Sequence, residues 1–224
     1  MIKQTHKELI SNFLASPSAL SMLRELEAIL EEEDKRRQQF YLDEITELKK
    51  VEFINGEIII HSPPSKLHIE VCGALFRLIS TYVDSNDLGF VGIGTLMIQL
   101  TRNDYEPDIC FFDQKTASQL KREQTLFPAP KFIAAILSKS TASRDRGVKF
   151  EDYQNHGVGE YWIVDPQKRV VEQYLLQHDK YELVFKAGKG EISVHSIEGL
   201  HFQIEAIFDP QLANQEMKRL LLNQ

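Results

Sequence analysis

The sequence predicts a mixed α/β (α+β) fold: a mixed β-sheet with helices packed on it, in the order helix, strand, strand, strand, helix, strand. Three observations predict it. Behind the Pro63-Pro64 stop, Leu67, Val71, Leu75, Leu78 and Ile79 recur at helical spacing and mark one buried stripe. Apolar or alternating runs follow at 90–93, 96–100, 108–112 and 132–137. A second helical stretch then ends at Gly157 and leads directly into the apolar run 160–164. Such a sheet buries its faces only if helices cover them, which gives a layered domain.

The elements follow in chain order. Residues 18–30 combine helix formers with apolar residues at helical spacing, and 31–37 is a charged run, so 18–38 reads as one amphipathic helix with a solvated end. Residues 51–60 are two β-rich runs around Asn55-Gly56, the strongest short-range hairpin signal. Ser65 can cap a helix from Lys66 to about Val83. The segment 132–137 is apolar on both faces and belongs in the sheet centre. Ser143 can cap a helix from Arg144 to about His156, with Gly157 as its stop. From Arg169 to Ile207 the chain alternates through 170–176, 181–185 and 192–194, an antiparallel tail around Gly188 and Gly190. A short helix over 214–222 ends it. The organisation expected is a helical extension (1–49), a main domain (50–208) and a C-terminal helix (209–224).

Composition narrows the function classes. With 224 residues, 42% hydrophobic and 26% charged, the chain is an ordinary globular one that needs no disulfide staples. Two cysteines far apart and a first stretch without an apolar signal core lead to a cytoplasmic expectation. No apolar run approaches a membrane span. A net charge of −7 argues against a dedicated DNA-coating protein, which carries a basic face, but not against an enzyme with a small neutralised cleft. Gly-x-Ser-x-Gly, a phosphate-binding Gly-x-x-x-x-Gly-Lys loop, Cys-x-x-Cys and His-Glu-x-x-His are all absent, and Gly92-Ile-Gly94 lacks the third glycine of a dinucleotide loop.

What remains is single residues at element ends. Asp108 follows Pro107 at a strand start, with Glu106 two residues earlier on the same face. Lys149 and Tyr153 stand four apart on the second helix, with Arg146 a turn earlier; His68 lies on the first. Read alone, these are also a solvated strand end, a solvated helix face and a capping histidine.

The string from Ile136-Leu-Ser-Lys-Ser-Thr-Ala-Ser-Arg-Asp-Arg-Gly-Val-Lys149 through Tyr153 and Gly157-Val158 to Glu160-Tyr-Trp-Ile-Val-Asp-Pro166 resembles the Uma2 (Uma-two) family, a restriction-endonuclease group of the PD-(D/E)XK nuclease superfamily. Glu52-Phe-Ile-Asn-Gly-Glu57, the Pro-Pro pair before the helix with His68, and Pro107-Asp108 agree, over about residues 50–208. The resemblance implies a restriction-endonuclease-like αβββαβ core and metal-dependent hydrolysis of DNA phosphodiesters. It implies that Mg²⁺ (or Mn²⁺) is held by an Asp, here Asp108, by a Glu on the next strand, and by the backbone carbonyl after it, here Ile136. The metal lowers the pKa of the attacking water, and a lysine, here Lys149, stabilises the developing charge. Glu57 and His68 are weaker candidates for the cleft wall.

One departure stands out. Where the family pattern reads Glu-Val-Leu-Ser, this chain reads Ala135-Ile136-Leu137-Ser138, and Lys139 replaces a proline. Ala135 cannot coordinate a metal. Three readings stand at this point: a metal-dependent endonuclease acting on DNA phosphodiesters, resting on the resemblance with Asp108 and Lys149; a non-catalytic nucleic-acid- or protein-binding module, resting on Ala135 and the acidic charge; and a homodimeric scaffold using the helix at 18–38 and the C-terminal strands.

Overall fold

The structure is a computed structural model that describes residues 6–44 and 50–222. Two helices lead, α1 (His6–Leu14) and α2 (Ala19–Asp43). The hairpin β1 (Val51–Ile54) and β2 (Glu57–Ile60) follows, then α3 (Lys66–Ser85), β3 (Gly89–Ile93), β4 (Met97–Gln99), β5 (Asp104–Tyr105) and β6 (Ile109–Asp113). The short α4 (Gln114–Ala117) and β7 (Leu126–Phe127) precede β8 (Phe132–Ile136), α5 (Ala142–Asp145), α6 (Val148–Asn155) and β9 (Glu160–Asp165). Strands β10 (Val170–Gln177), β11 (Lys180–Ala187), β12 (Glu191–Ser193) and β13 (His201–Gln203), with α7 (Glu205–Phe208) and α8 (Pro210–Leu222), complete it.

The expected mixed fold is present, with the order α3, β3, β6, β8, α6, β9 at its centre. Six strands form the main sheet in the order β11-β10-β9-β8-β6-β3, antiparallel except for the parallel pair β8–β9. A second sheet runs β2-β1-β5-β4-β7, and β12–β13 is a separate ribbon. One face of the main sheet, with Phe111, Phe132, Ile136 and Trp162, packs under Val71, Leu75, Leu78 and Ile79 of α3 and against the ribbon and α8. The other face, with Cys110, Ile133, Ala135 and Ile163, meets Tyr153 of α6 and Ile54, Ile98 and Tyr105 of the second sheet. Each large side chain buried this way contributes about 1.5–3 kcal/mol. The strand apolar on both faces, β8, lies inside the sheet, as periodicity predicts.

Local chemistry explains the element ends. Asn55 (φ 51°) and Gly56 (φ 82°) both take the left-handed conformation that a two-residue hairpin turn demands, and register Val51 with Ile60. The Ser65 hydroxyl accepts the His68 N–H at 3.2 Å and caps α3. Gly157 (φ 73°) stops α6.

Several expectations need correction. The helix expected over 144–156 is two, α5 and α6, broken at Gly147, whose φ of −119° and ψ of −107° leave the helical region. A Cβ there would lie 2.9 Å from the Ser143 carbonyl oxygen. Ser143 sits inside α5, and Thr141 is the cap position. The run at 96–100 forms only a three-residue strand, β4, in the second sheet. The helix expected over 18–38 runs on to Asp43, and Ser18 makes no capping bond. Its last turns dock: Glu33, Arg37 and Phe40 are buried, and Arg37 grips both carboxylate oxygens of buried Asp104 at 2.7 Å. Its first turns leave Leu20, Leu23, Leu26 and Leu30 exposed. Among the described residues no helix is long and apolar enough to cross a membrane.

Candidate active site

Asp108 lies immediately before β6. The register Ile109↔Ala134, carried one step further, sets it beside Ala135 and Ile136 of β8. Its Oδ2 accepts the Ile136 N–H at 2.8 Å. Its Oδ1 faces the Lys50 ammonium at 2.9 Å and the His68 imidazole at 3.3 Å. Burial alone would push this carboxyl up; Lys50 and His68 outweigh it and hold it well below the usual range. Lys50 reaches the site from the start of the hairpin, and His68 from the first turn of α3.

A second, deeper cluster adjoins it. Lys149 of α6 donates to Glu52 Oε1 at 2.7 Å and lies 3.5 Å from Asp145 Oδ1, with the three side chains 6%, 0% and 5% exposed. Glu52 also pairs with His61 at 2.8 Å and accepts the Glu106 N–H at 2.9 Å. Burial opposes the charge on Glu52, and Lys149 and His61 overcome that, lowering its pKa from 4.5 to about 2. Burial works against the Lys149 ammonium too, but Glu52 and Asp145 raise its pKa on balance. Burial raises Asp145. Burial raises Glu106 as well, up to about 7, against the opposing pull of Lys50, while its Oε2 accepts the Val51 N–H at 3.0 Å.

The sequence candidates therefore divide. Asp108, His68, Ala135 and Ile136 meet at one point, and Lys149 lies in the adjoining ion-pair cluster. Glu106 is buried there, with a carboxylate oxygen taken by Val51. Tyr153 packs its ring against Tyr105 and Tyr161, 5.3 and 5.4 Å between centroids, and its buried hydroxyl has no hydrogen-bond partner among the described residues. Glu57 and Arg146 are not brought in. Glu57 is exposed on the edge strand β2, and Arg146 pairs with Glu172 of β10. Reasoning from sequence missed Lys50, Glu52, His61 and Asp145. A signal existed for one of them: Asp145 stands four before Lys149, the spacing of an ion pair on one helix face.

The donor set does not fit the divalent metal that the family resemblance implies. Position 135, beside Asp108, carries only a methyl group, 6% exposed. Both Asp108 oxygens are engaged, and Glu52 and Asp145 are turned to Lys149. Among the described residues no group of three or more His, Cys, Asp or Glu is placed to hold a metal ion. No chemical step is therefore derived through a metal in this chain.

Comparison with known proteins gives this geometry a context. The model of the family Uma2, described as "Putative restriction endonuclease", matches residues 37–205, well over half of the chain. An uncharacterized protein of Synechocystis sp. is 28% identical over 165 residues, covering 71% of this chain and 84% of its own. The crystal structure of a protein from Anabaena variabilis, described as a "putative nuclease belonging to DUF820", superposes with a TM-score of 0.62 at 21% identity, over 70% of this chain and 89% of that one. At that identity the likeness shows a shared fold.

Proposed function

Because the chain belongs to the Uma2 family, described as "Putative restriction endonuclease", we propose that it engages DNA through the nuclease-type cleft around Asp108 and does not hydrolyse it. The observation that carries this reading is Ala135: the residue beside Asp108 on β8 has no carboxylate, and every other acid near it already has a partner. Losing an outer partner of a metal site costs about 10–100-fold, so losing a direct ligand costs at least as much. The DNA part rests on the family match.

The test compares the unmodified chain, Ala135→Glu, and Ala135→Glu with Asp108→Ala on supercoiled, linear and single-stranded DNA, with Mg²⁺ or Mn²⁺ and in EDTA. The unmodified chain is expected to shift DNA without cutting it. Ala135→Glu should gain metal-dependent nicking, and the added Asp108→Ala should remove it. Cleavage by the unmodified chain that a separate Asp108→Ala abolishes overturns the inactive reading. Absence of DNA binding in any form overturns the DNA reading.

A cytoplasmic setting is proposed from the two free, buried thiols, Cys72 and Cys110. A homodimer is proposed from α2. The helix seam that docks through Glu33, Arg37 and Phe40 continues toward its N-terminus as exposed Leu23, Leu26 and Leu30. This is an apolar stripe at coiled-coil spacing, and a second copy of the same helix satisfies it.

A further inference from the structure

The geometry points to Lys50 as the resident cation of this site: its ammonium takes the place beside Asp108 that the family's divalent ion is expected to take, so the cleft is complete without metal. This deepens the inactive reading above, and its test does not depend on DNA.

The charges support it. Asp108 has one negative charge, and the Lys50 ammonium at 2.9 Å neutralises it. His68 adds a second contact at 3.3 Å and the Ile136 N–H a third at 2.8 Å, so the carboxylate is saturated from both of its oxygens. A hard divalent ion needs several oxygen donors and a local surplus of negative charge. Here Lys149 consumes the charge of Glu52 and Asp145, the Glu106 carboxyl is held by a backbone N–H, and position 135 contributes none. A cation entering beside Asp108 would meet Lys50 at close range and find no second carboxylate to compensate. The Lys50 side chain is 28% exposed and the Asp108 side chain 13%, so the pair is partly shielded from water and only weakly screened.

The arrangement also accounts for why Ala135 is tolerated. A glutamate at 135 without metal would crowd a second carboxylate against Asp108. With alanine there, one lysine is enough.

The experiment titrates the purified chain with Mn²⁺, reading free Mn²⁺ by electron paramagnetic resonance and thermal melting in parallel with EDTA. The unmodified chain is expected to show no saturable Mn²⁺ binding at millimolar concentration and the same melting temperature in Mn²⁺ and EDTA. Ala135→Glu with Lys50→Met is expected to bind Mn²⁺ on the order of tenfold more tightly than Ala135→Glu alone, a conservative share of what one unit charge about 4 Å away is worth near a protein surface. Should the double variant fold poorly, Lys50→Gln in place of Lys50→Met, and a melting cycle of Lys50→Met against Asp108→Asn in the natural background, keep the question open to measurement. The cycle is expected to show coupling, with the second substitution costing less than the first. Saturable Mn²⁺ binding by the unmodified chain that Asp108→Asn removes overturns the proposal. So does equal Mn²⁺ affinity with and without Lys50 in the Ala135→Glu background, or additivity in the cycle. Loss of DNA binding would sink the functional reading and leave this one standing.

Discussion

Replacing Lys149 by methionine is a direct probe of the buried cluster. The ammonium lies 2.7 Å from Glu52 and 3.5 Å from Asp145, and none of the three side chains is more than 6% exposed. Methionine keeps the apolar stem and leaves two buried carboxylates without their cation. Breaking a buried ion pair from one side costs about 3–5 kcal/mol. The Glu52 pKa, lowered from 4.5 to about 2 against its burial by Lys149 and His61 together, shows in which direction the pairing acts. For a protein of this size each kcal/mol moves the melting temperature by about 2–4 °C, so the variant should melt about 6–20 °C lower. The pH dependence carries a sign. Glu52 has a depressed pKa in the folded state, so its contribution is fully present above 4.5 and is lost as pH falls toward 2. The gap between the natural chain and Lys149→Met should therefore narrow across that window. Adding Glu52→Gln should recover part of the loss, because one of the two stranded charges is removed while Asp145 stays. Scanning calorimetry and urea denaturation read both effects. A loss below about 1 kcal/mol, a gap that does not change with pH, or no rescue by Glu52→Gln would show that Lys149 is not committed to this pair.

Two other predictions follow the same logic. Glu106 has its pKa raised from 4.5 to about 7, so its contribution is present below 4.5 and is lost as pH rises through 7. Glu106→Gln should flatten the stability loss of the natural chain between about pH 5 and pH 8, gaining roughly 2–3 kcal/mol at the upper end by urea denaturation; parallel curves refute it. Leu26→Lys with Leu30→Lys should convert the proposed homodimer to monomer in sedimentation velocity while each changes monomer stability by no more than about 0.5 kcal/mol, since both positions are exposed; a natural chain already monomeric at micromolar concentration ends the dimer proposal.

The fold was legible wherever a periodic stripe or a turn signal ran long enough. Val71, Leu75, Leu78 and Ile79 of the expected stripe became the buried face of α3, while Leu67, in its first turn, is exposed; Asn55-Gly56 became the hairpin turn, and the doubly apolar run at 132–137 became the interior strand β8. What escaped was short or local. β5 and β7 have two residues each, too few for any period to show. The α5–α6 break rests on Gly147, which a reading by periodicity runs straight through. For the site, the resemblance pointed to Asp108, Ala135 and Lys149, and the structure sets Lys149 in the cluster adjoining the other two. Lys50 carries no local signal, and Glu52, though inside the Glu52–Glu57 run, carries no sign of its partner. Glu52 is 97 residues from the lysine it pairs with, and only the docking of the hairpin on α6 brings the two together.

That docking also decides which site residues the chain can lose. A buried charge persists only when it is paired, so each cation of the cluster is bound to the fold by the acids it neutralises. Removing Lys149 strands Glu52 and Asp145, and removing Asp108 strands Lys50 beside His68. Position 135 differs: a small apolar side chain on a fully buried strand, next to Cys110 and Ile133 in the same core face, is what the sheet itself favours. Without a metal, a second carboxylate at 135 would be a buried charge with no cation of its own, and alanine spares the fold that charge. A nuclease-type cleft can shed it and keep its remaining charged framework, with Lys50 closing the balance at Asp108.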